Sequence, residues 1–253
     1  MKSRGWRVLA TARRQEDLAR LRKQVGVEAL QLELTDETSI AACAERALEL
    51  TDGKLYALFS NAAYAQPGAI EDLDGDAMRR QFEVNVIGTH DLARRLVPAM
   101  RTCGEGRIVF CSSVLGFIAV PYRGAYCATK FALEAIADTM RLELAGTKIS
   151  VSLIEPGPIA TRFIDNALVY AYRNVDLEGS IHAASYSAML AGMEQGGKKA
   201  FKLPPDAVVR KLLHAVESQW PKRRYYVTVP TYVVAALRRI LPVMLMDRIA
   251  RSQ

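Results

Sequence analysis

The sequence predicts an α/β domain built on a doubly wound parallel sheet, and three observations predict it. First, runs that are apolar on both faces, at 6–12, 27–34, 55–60, 107–111, 149–155 and 225–229, alternate with helical stretches. Such strands need cover on both sides, which the helices joining parallel strands provide. Second, the chain has 253 residues and is 50% hydrophobic, which suits one domain over 1–253 with a full core. Third, the run at 149–155 stops at Pro156-Gly157-Pro158 and a long excursion follows. In an open α/β sheet, such an excursion beyond a strand's carboxyl end lies near the ligand crevice.

In chain order, the strand at 6–12 leads into a helix over 17–24. The strand at 27–34 precedes a helix over 37–50, with Thr35 and Asp36 as cap candidates. After the strand at 55–60, a long helix spans 76–100. The strand at 107–111 feeds a second long helix at 125–144, and the strand at 149–155 follows. The segment 162–202 breaks the rhythm with small residues, Phe163, Tyr170, Tyr172, Tyr186 and a Gly196-Gly197 pair, and is read as a lid over an apolar substrate. A helix at 205–218 and a last strand at 225–229 lead to the C-terminal segment 231–253. That segment is apolar but interrupted by Arg238-Arg239, Pro242, Asp247 and Arg248, which argues against a spanning helix. Two readings of it stand: it closes the substrate pocket or a subunit interface, or it lies in a membrane surface as a peripheral contact. A homodimer or homotetramer is expected.

Composition narrows the function classes. Lys plus Arg exceed Asp plus Glu by 34 − 27 = 7. The basic residues are scattered, with small clusters at Arg13-Arg14, Lys198-Lys199 and Lys222-Arg223-Arg224, and no nucleic-acid-binding motif accompanies them. Cys43, Cys103, Cys111 and Cys127 lack C-x-x-C spacing, which fits a reduced, cytoplasmic compartment. His90, His182 and His214 lie far apart, so no metal site is expected.

The chemistry concentrates at Tyr126-Cys127-Ala128-Thr129-Lys130. Tyrosine and lysine four apart share one helix face. A free phenol titrates at about 10, and a neighbouring ammonium favours phenolate, bringing the group toward acid–base use at neutral pH. Ser113 stands thirteen positions earlier, at the end of the 107–111 strand. Strand end and helix start meet at the sheet's carboxyl edge, where a serine hydroxyl can polarise a carbonyl oxygen that Tyr126 protonates. Asn85 sits within the predicted helix at 76–100. Asparagine competes with helical backbone bonds, so the position implies a kink with a polar task, or a solvent-facing amide.

Together, Ser60-Asn61-Ala62-Ala63, Asn85-Val86-Ile87-Gly88, Ser113, Tyr126-x-x-x-Lys130 and Pro156-Gly157-Pro158-Ile159-Ala160-Thr161 resemble the short-chain dehydrogenases/reductases, in order and spacing. The detail of Ile154-Glu155-Pro156-Gly157-Pro158 resembles the branch of 17β-hydroxysteroid and retinol dehydrogenase-like enzymes and bacterial NADP-dependent oxidoreductases. The resemblance implies a Rossmann-like fold and hydride transfer between a nicotinamide cofactor and a carbonyl/alcohol substrate. It implies Tyr126 as proton donor or base, Lys130 as holder of the nicotinamide ribose and modulator of Tyr126, Ser113 as substrate orienter, and Asn85 as the positioner of a relay water. Asn61, Ala62 and Ala63 would pass the ribose and adenine side, Glu33 and Leu34 would meet the adenine, and Pro156, Gly157, Ile159 and Thr161 would flank the nicotinamide amide. Where the family has Asn-Asn-Ala-Gly this chain has Ser-Asn-Ala-Ala, and Glu33 stands where aspartate is usual.

The strand at 6–12 ends in Arg13-Arg14, with no acid until Glu16. Acid at this point hydrogen-bonds the ribose of NAD, and arginine accommodates the 2′-phosphate of NADP. NADP is therefore expected over NAD. The family's first strand, glycine turn and first helix precede the part that Arg4-Gly5-Trp6 matches, and no such segment stands in this chain. The expectation is a start codon placed too far downstream, or a truncated form, with the strands at 6–12 and 55–60 left unpaired where the first strand would lie between them. A non-catalytic protein that kept the fold and lost cofactor capture is the alternative reading.

Overall fold

The computed structural model describes residues 1–195 and 201–251; Gly196-Gly197 and Lys198-Lys199 lie outside them. All strand pairs in the two sheets are parallel, and the sheet is in two pieces. β1 (Leu9–Ala12) pairs with β2 (Glu28–Gln31), Leu9 opposite Glu28. The second piece runs β3 (Ala57–Ser60), β4 (Gly106–Cys111), β5 (Ile149–Glu155) and β6 (Arg224–Tyr226), in that order. The break falls between β1 and β3.

Helices cover both faces of the four-stranded piece. α4 (Gly88–Cys103) and α5 (Gly124–Glu143) pack Ala93, Met100, Leu133 and Ala137 on Ile108, Phe110, Val151 and Leu153. α8 (Asp206–Glu217) brings Leu212, Ala215 and Val216 to the other face, against Val109, Ile154 and Tyr225. Met1, Trp6 and Tyr56 pack onto this second cluster, and the Trp6 and Tyr56 rings stack at 5.3 Å. Arg4 and Trp6 both donate to Glu217 of α8, which anchors the N-terminus.

The first strand is shorter than its apolar run and half-buried rather than buried. With a partner on one edge alone it lacks the cover that a central strand has. α1 (Gln15–Arg20) follows and winds into a π turn at Leu21–Val25. α2 (Glu37–Leu50) is capped by Asp36, whose carboxylate accepts from the Thr38 amide at 2.9 Å; of the two cap candidates, Asp36 takes the role.

The long helix expected at 76–100 is three segments: α3 (Gly75–Phe82), a π turn at Glu83–Ile87, and α4. Two side-chain facts cause the break. Asn85 commits its amide to neighbouring groups, and Gly88 meets the Leu34 carbonyl so closely that a Cβ would stand 2.0 Å from its oxygen. A π turn is a common way of aiming a side chain at a functional site.

The excursion after β5 forms α6 (Phe163–Asn174) and α7 (Ala183–Glu194). The C-terminal segment forms α9 (Val229–Ile240) and α10 (Val243–Arg251), parted at Pro242. Among the described residues no helix is long and apolar enough to cross a membrane.

Candidate active site

The carboxyl ends of β4 and β5 and the start of α5 converge. Tyr126 and Lys130 are buried on the inner face of α5. Ser113 follows β4 and caps a short 3-10 turn at Val114–Gly116, accepting from the Leu115 amide at 3.1 Å. The Val114 amide donates to the Pro156 carbonyl at 2.9 Å, which ties the Ser113 turn to the start of the Pro156–Thr161 segment.

Burial pushes the Tyr126 phenol well above its ordinary value, with the nearby Cys111 and Cys127 thiols adding to it; Ser113 and Arg123 oppose the shift. The Ser113 hydroxyl lies close enough to the phenol to favour its ionised form, so serine and tyrosine present two hydroxyls to one region. Lys130 shifts down, again chiefly through burial. Its Nζ lies 5.5 Å from the Tyr126 ring centroid and donates to the Cys111 carbonyl at 2.8 Å. The sequence expectation that Lys130 lowers the phenol's pKa is therefore not the balance here. Loss of water outweighs the ammonium, whose hydrogen bond goes to backbone.

Asn85 is fully buried, not solvent-facing. Its Oδ1 accepts from the Tyr64 amide at 3.1 Å, and Nδ2 donates to the Tyr64 carbonyl at 2.9 Å and to Thr129 Oγ1 at 3.1 Å. Thr129 in turn donates to the Tyr126 carbonyl at 2.8 Å. The side chain thereby ties the loop after β3 to the helix bearing Tyr126. Both amide hydrogens are committed, so a water held at this point would rely on other groups.

Asn61 and Ala62 are exposed and Ala63 half-buried beyond β3. Arg13 and Arg14 are exposed beyond β1, Arg13 within 3.7 Å of Glu33 and Arg14 within 3.3 Å of Glu16. Glu33 also accepts from the Thr35 amide. Leu34 is different: its side chain is buried with Leu32, Ile40 and Leu92, leaving its backbone for contact. Pro156, Gly157 and Ile159 are half-buried and Thr161 is exposed. This segment is pinned to the far end of the excursion, where the Ala160 amide donates to the Leu203 carbonyl at 2.9 Å.

The excursion covers the site. Phe163 meets the Tyr126 ring at 5.5 Å, edge to face, and Ala167, Met189 and Met193 join the same cluster. Tyr170 lies against Tyr64, the rings tilted by 36° with centroids 4.2 Å apart. Tyr186 is core, donating to Asp72 and accepting from the Ala69 amide, while Tyr172 lies at the surface on Glu194. Sequence reasoning missed the latch beneath these helices. Gln66, fully buried, accepts from Asn174 at 2.6 Å and donates to the Tyr170 carbonyl, and Gln81 holds the Gln66 amide at 2.6 Å. Two glutamines at apolar-run margins are the only signal the sequence offers for it.

α10 sets Met246 and Ala250 on Ile118, beside Val114 and Leu115 of the Ser113 turn. Its inner face therefore walls the site. The opposite faces of α9 and α10 leave Val229, Tyr232, Val233, Ile240, Val243 and Met244 exposed.

A family model described as short chain dehydrogenase matches residues 1–168. An uncharacterized oxidoreductase, YbbO, of Escherichia coli K12 is 40% identical over 252 residues, spanning all of this chain and 87% of that protein. Human 17-beta-hydroxysteroid dehydrogenase type 1 is 32% identical over 202 residues, 80% of this chain and 60% of that protein. Among solved structures, a Burkholderia cenocepacia short chain dehydrogenase in complex with NADP aligns at TM-score 0.70 and 23% identity, over 98% of this chain and 88% of that one. One from Burkholderia phymatum in complex with NAD aligns at TM-score 0.74 and 23% identity, over 96% and 85%. With its tyrosine, lysine and serine at the carboxyl edge of a parallel sheet, the chain belongs to the short-chain dehydrogenase/reductase family and is an NAD(P)-dependent oxidoreductase.

Proposed function

We propose that this chain transfers a hydride between NADP(H) and the carbonyl/alcohol carbon of a lipophilic substrate. The observation that carries the reading is the Tyr126 hydroxyl, buried beside Ser113 and roofed by Phe163, Ala167, Met189 and Met193. An apolar roof over two convergent hydroxyls suits a substrate that is apolar around one reactive oxygen.

The donor set fits a nicotinamide dinucleotide along one side. Lys130 and Asn61 would hold ribose hydroxyls, Thr161 and the Pro156–Ile159 backbone the carboxamide, and Arg13 with Arg14 a 2′-phosphate. Glu33 and the Leu34 backbone would lie against the adenine, with Ala62 and Ala63 beside it. Among the described residues no turn with several glycines opens a helix to take the pyrophosphate. When bound, the nicotinamide supplies or accepts the hydride. Ser113 orients the substrate oxygen. In reduction Tyr126 gives that oxygen its proton as the carbon receives the hydride, and in oxidation Tyr126 takes it back. A phenol held far from ionising is suited to remain a donor. Lys130 places a positive charge behind it as the proton leaves. Asn85 and Thr129 fix the helix turn that aims the phenol. The roofing helices exclude water, which strengthens each of these contacts.

The exposed stripe on α9 and α10 lies with the exposed Arg239, Arg248 and Arg251. Apolar side chains beside arginines suit peripheral contact with an anionic lipid surface. Co-sedimentation with phosphatidylserine vesicles, weakened by Val243→Asp, tests this contact.

The main reading is tested by following NADPH oxidation over a panel of hydrophobic ketones and aldehydes, with Tyr126→Phe as control. Loss of the general acid lowers kcat by about 10²–10⁴, with NADPH affinity unchanged. A variant that keeps more than about a tenth of wild-type kcat overturns the role of Tyr126.

A further inference from the structure

Beneath the catalytic side chains lies a cluster that the reaction above does not use. Glu134 and Glu155 are both buried, Glu155 completely, and they meet over one guanidinium. Arg224 of β6 donates to Glu134 and, at 2.6 Å, to Glu155, and its other nitrogen reaches Asp138 at 2.5 Å. Asp138 is half-exposed and is also paired with Arg141, so it belongs to the rim. The other charged or titratable neighbours are Lys130 on α5, turned toward the Cys111 carbonyl, the Cys111 thiol on β4, Tyr226 on β6, and Arg239 on α9 beyond Tyr226.

Three buried oxygens here have no hydrogen-bond partner: Glu134 Oε1, Glu155 Oε2 and Ser112 Oγ. Two carboxylates cannot hydrogen-bond each other, and an unsatisfied buried polar atom is costly. One added proton satisfies the two carboxyl oxygens, and Ser112 has a donor of its own. A protonated Glu155 donates to Glu134, and Ser112 donates to the same carboxylate. Burial and the neighbouring Glu134 push Glu155 up to about 8, in accord with this arrangement.

The pair sits where the site's segments join. Glu134 is one turn after Lys130 on α5. Gly116, which ends the Ser113 turn, lies against Ser112 Oγ and the Glu134 side chain so closely that a Cβ would stand 2.7 Å from the hydroxyl. Glu155 directly precedes Pro156, whose carbonyl holds Val114. We propose that Glu134 and Glu155 share a single proton, and that the protonated pair positions Lys130 and the Ser113 turn for the reaction. The reaction is that of the preceding reading, but the proton and the joint can be measured without cofactor.

A carboxyl raised in the folded state stabilises fully below the ordinary glutamate value and loses that contribution as pH climbs through its folded value, here about 8. The test compares wild type, Glu155→Gln and Glu155→Ala. Glutamine mimics the protonated acid, so Glu155→Gln folds, lacks the infrared carbonyl band of a buried protonated carboxyl that wild type shows at neutral pH, and flattens the fall in Tm between weakly acidic pH and about 8. Amide exchange at 112–116 and 126–130 stays slow in Glu155→Gln and quickens several-fold in Glu155→Ala. If Glu155→Ala does not fold, the glutamine variant and the infrared band decide alone. A wild type without the band at neutral pH, or a Glu155→Gln that keeps the wild-type Tm profile, overturns the shared proton. Unchanged protection in a folded Glu155→Ala overturns the positioning role. A wild type that shows the band yet never oxidises NADPH refutes the functional reading and leaves the pair standing.

Discussion

The two pieces of the sheet differ in what surrounds them. β4 and β5 have strands on both edges and helices on both faces, and nearly all their residues are buried. β1 and β2 pair only with each other, and the residues of β1 are half-buried or exposed. Ser113 and Tyr126, the groups proposed for acid–base work, hang from the well-packed piece, while Arg13, Arg14 and Glu33 hang from the thin one. Precise aiming of a proton donor needs a rigid scaffold, whereas a phosphate at the rim needs charge more than ångström-level placement. The difference makes the two halves separable by mutation.

The largest expected contrast is in stability. Phe110 on β4 is fully buried among Met100, Leu133 and Leu153, so Phe110→Ala should cost about 3–5 kcal/mol. Leu9 on β1 is half-buried, so Leu9→Ala should cost less than about 2 kcal/mol. Urea unfolding midpoints measure both, and equal costs would break the comparison.

A smaller effect is expected where the two pieces touch. A methyl at Gly88 collides with the Leu34 carbonyl at 2.0 Å. Backbone cannot swing aside as a side chain does, so Gly88→Ala should cost about 1–3 kcal/mol. The loop after β2 should move, and Glu33 with it. Thermal melting reads the cost. Faster amide exchange at 32–36 with little change at 107–111 would place the damage in the thin half.

This asymmetry also governs what the sequence could disclose. Runs apolar on both faces, as at 107–111 and 149–155, announced central strands to within a residue. The run at 6–12 looked the same, yet β1 begins at Leu9, because a run's composition does not show whether strands flank it. Tyr126, Lys130 and Ser113 were legible because their spacing encodes one helix face and one strand end. Asn85 was legible as an anomaly, but its bonds to Tyr64 and Thr129 join residues 21 and 44 positions away, which no local pattern carries. Glu155 read as part of a motif, and its meeting with Glu134 and Arg224 is a contact across three elements that only the fold creates.

The smallest effect on stability belongs to the thin half and tests the cofactor assignment. The Arg13 side chain is 57% exposed and stands 3.7 Å from a Glu33 that is itself a third exposed. An ion pair in such surroundings is worth about 0–1 kcal/mol, so Arg13→Asp should barely move Tm. Its effect on cofactor choice should be larger than its effect on the fold. The substitution removes a guanidinium from the end of β1 and puts a carboxylate there, which repels a 2′-phosphate and can accept from a 2′-hydroxyl. A change of about tenfold in the ratio of kcat/KM for NADPH over NADH corresponds to about 1.4 kcal/mol, well within the strength of a single charge-assisted hydrogen bond. Glu33 would then face a second acid, and part of the repulsion would be relieved by solvent at this open edge. The expected result is a ratio lowered by about tenfold or more with Tm nearly constant. An unchanged ratio with an unchanged Tm would mean that Arg13 serves only Glu33, and the phosphate would fall to Arg14, whose present partner, Glu16, is an exposed acid two residues away.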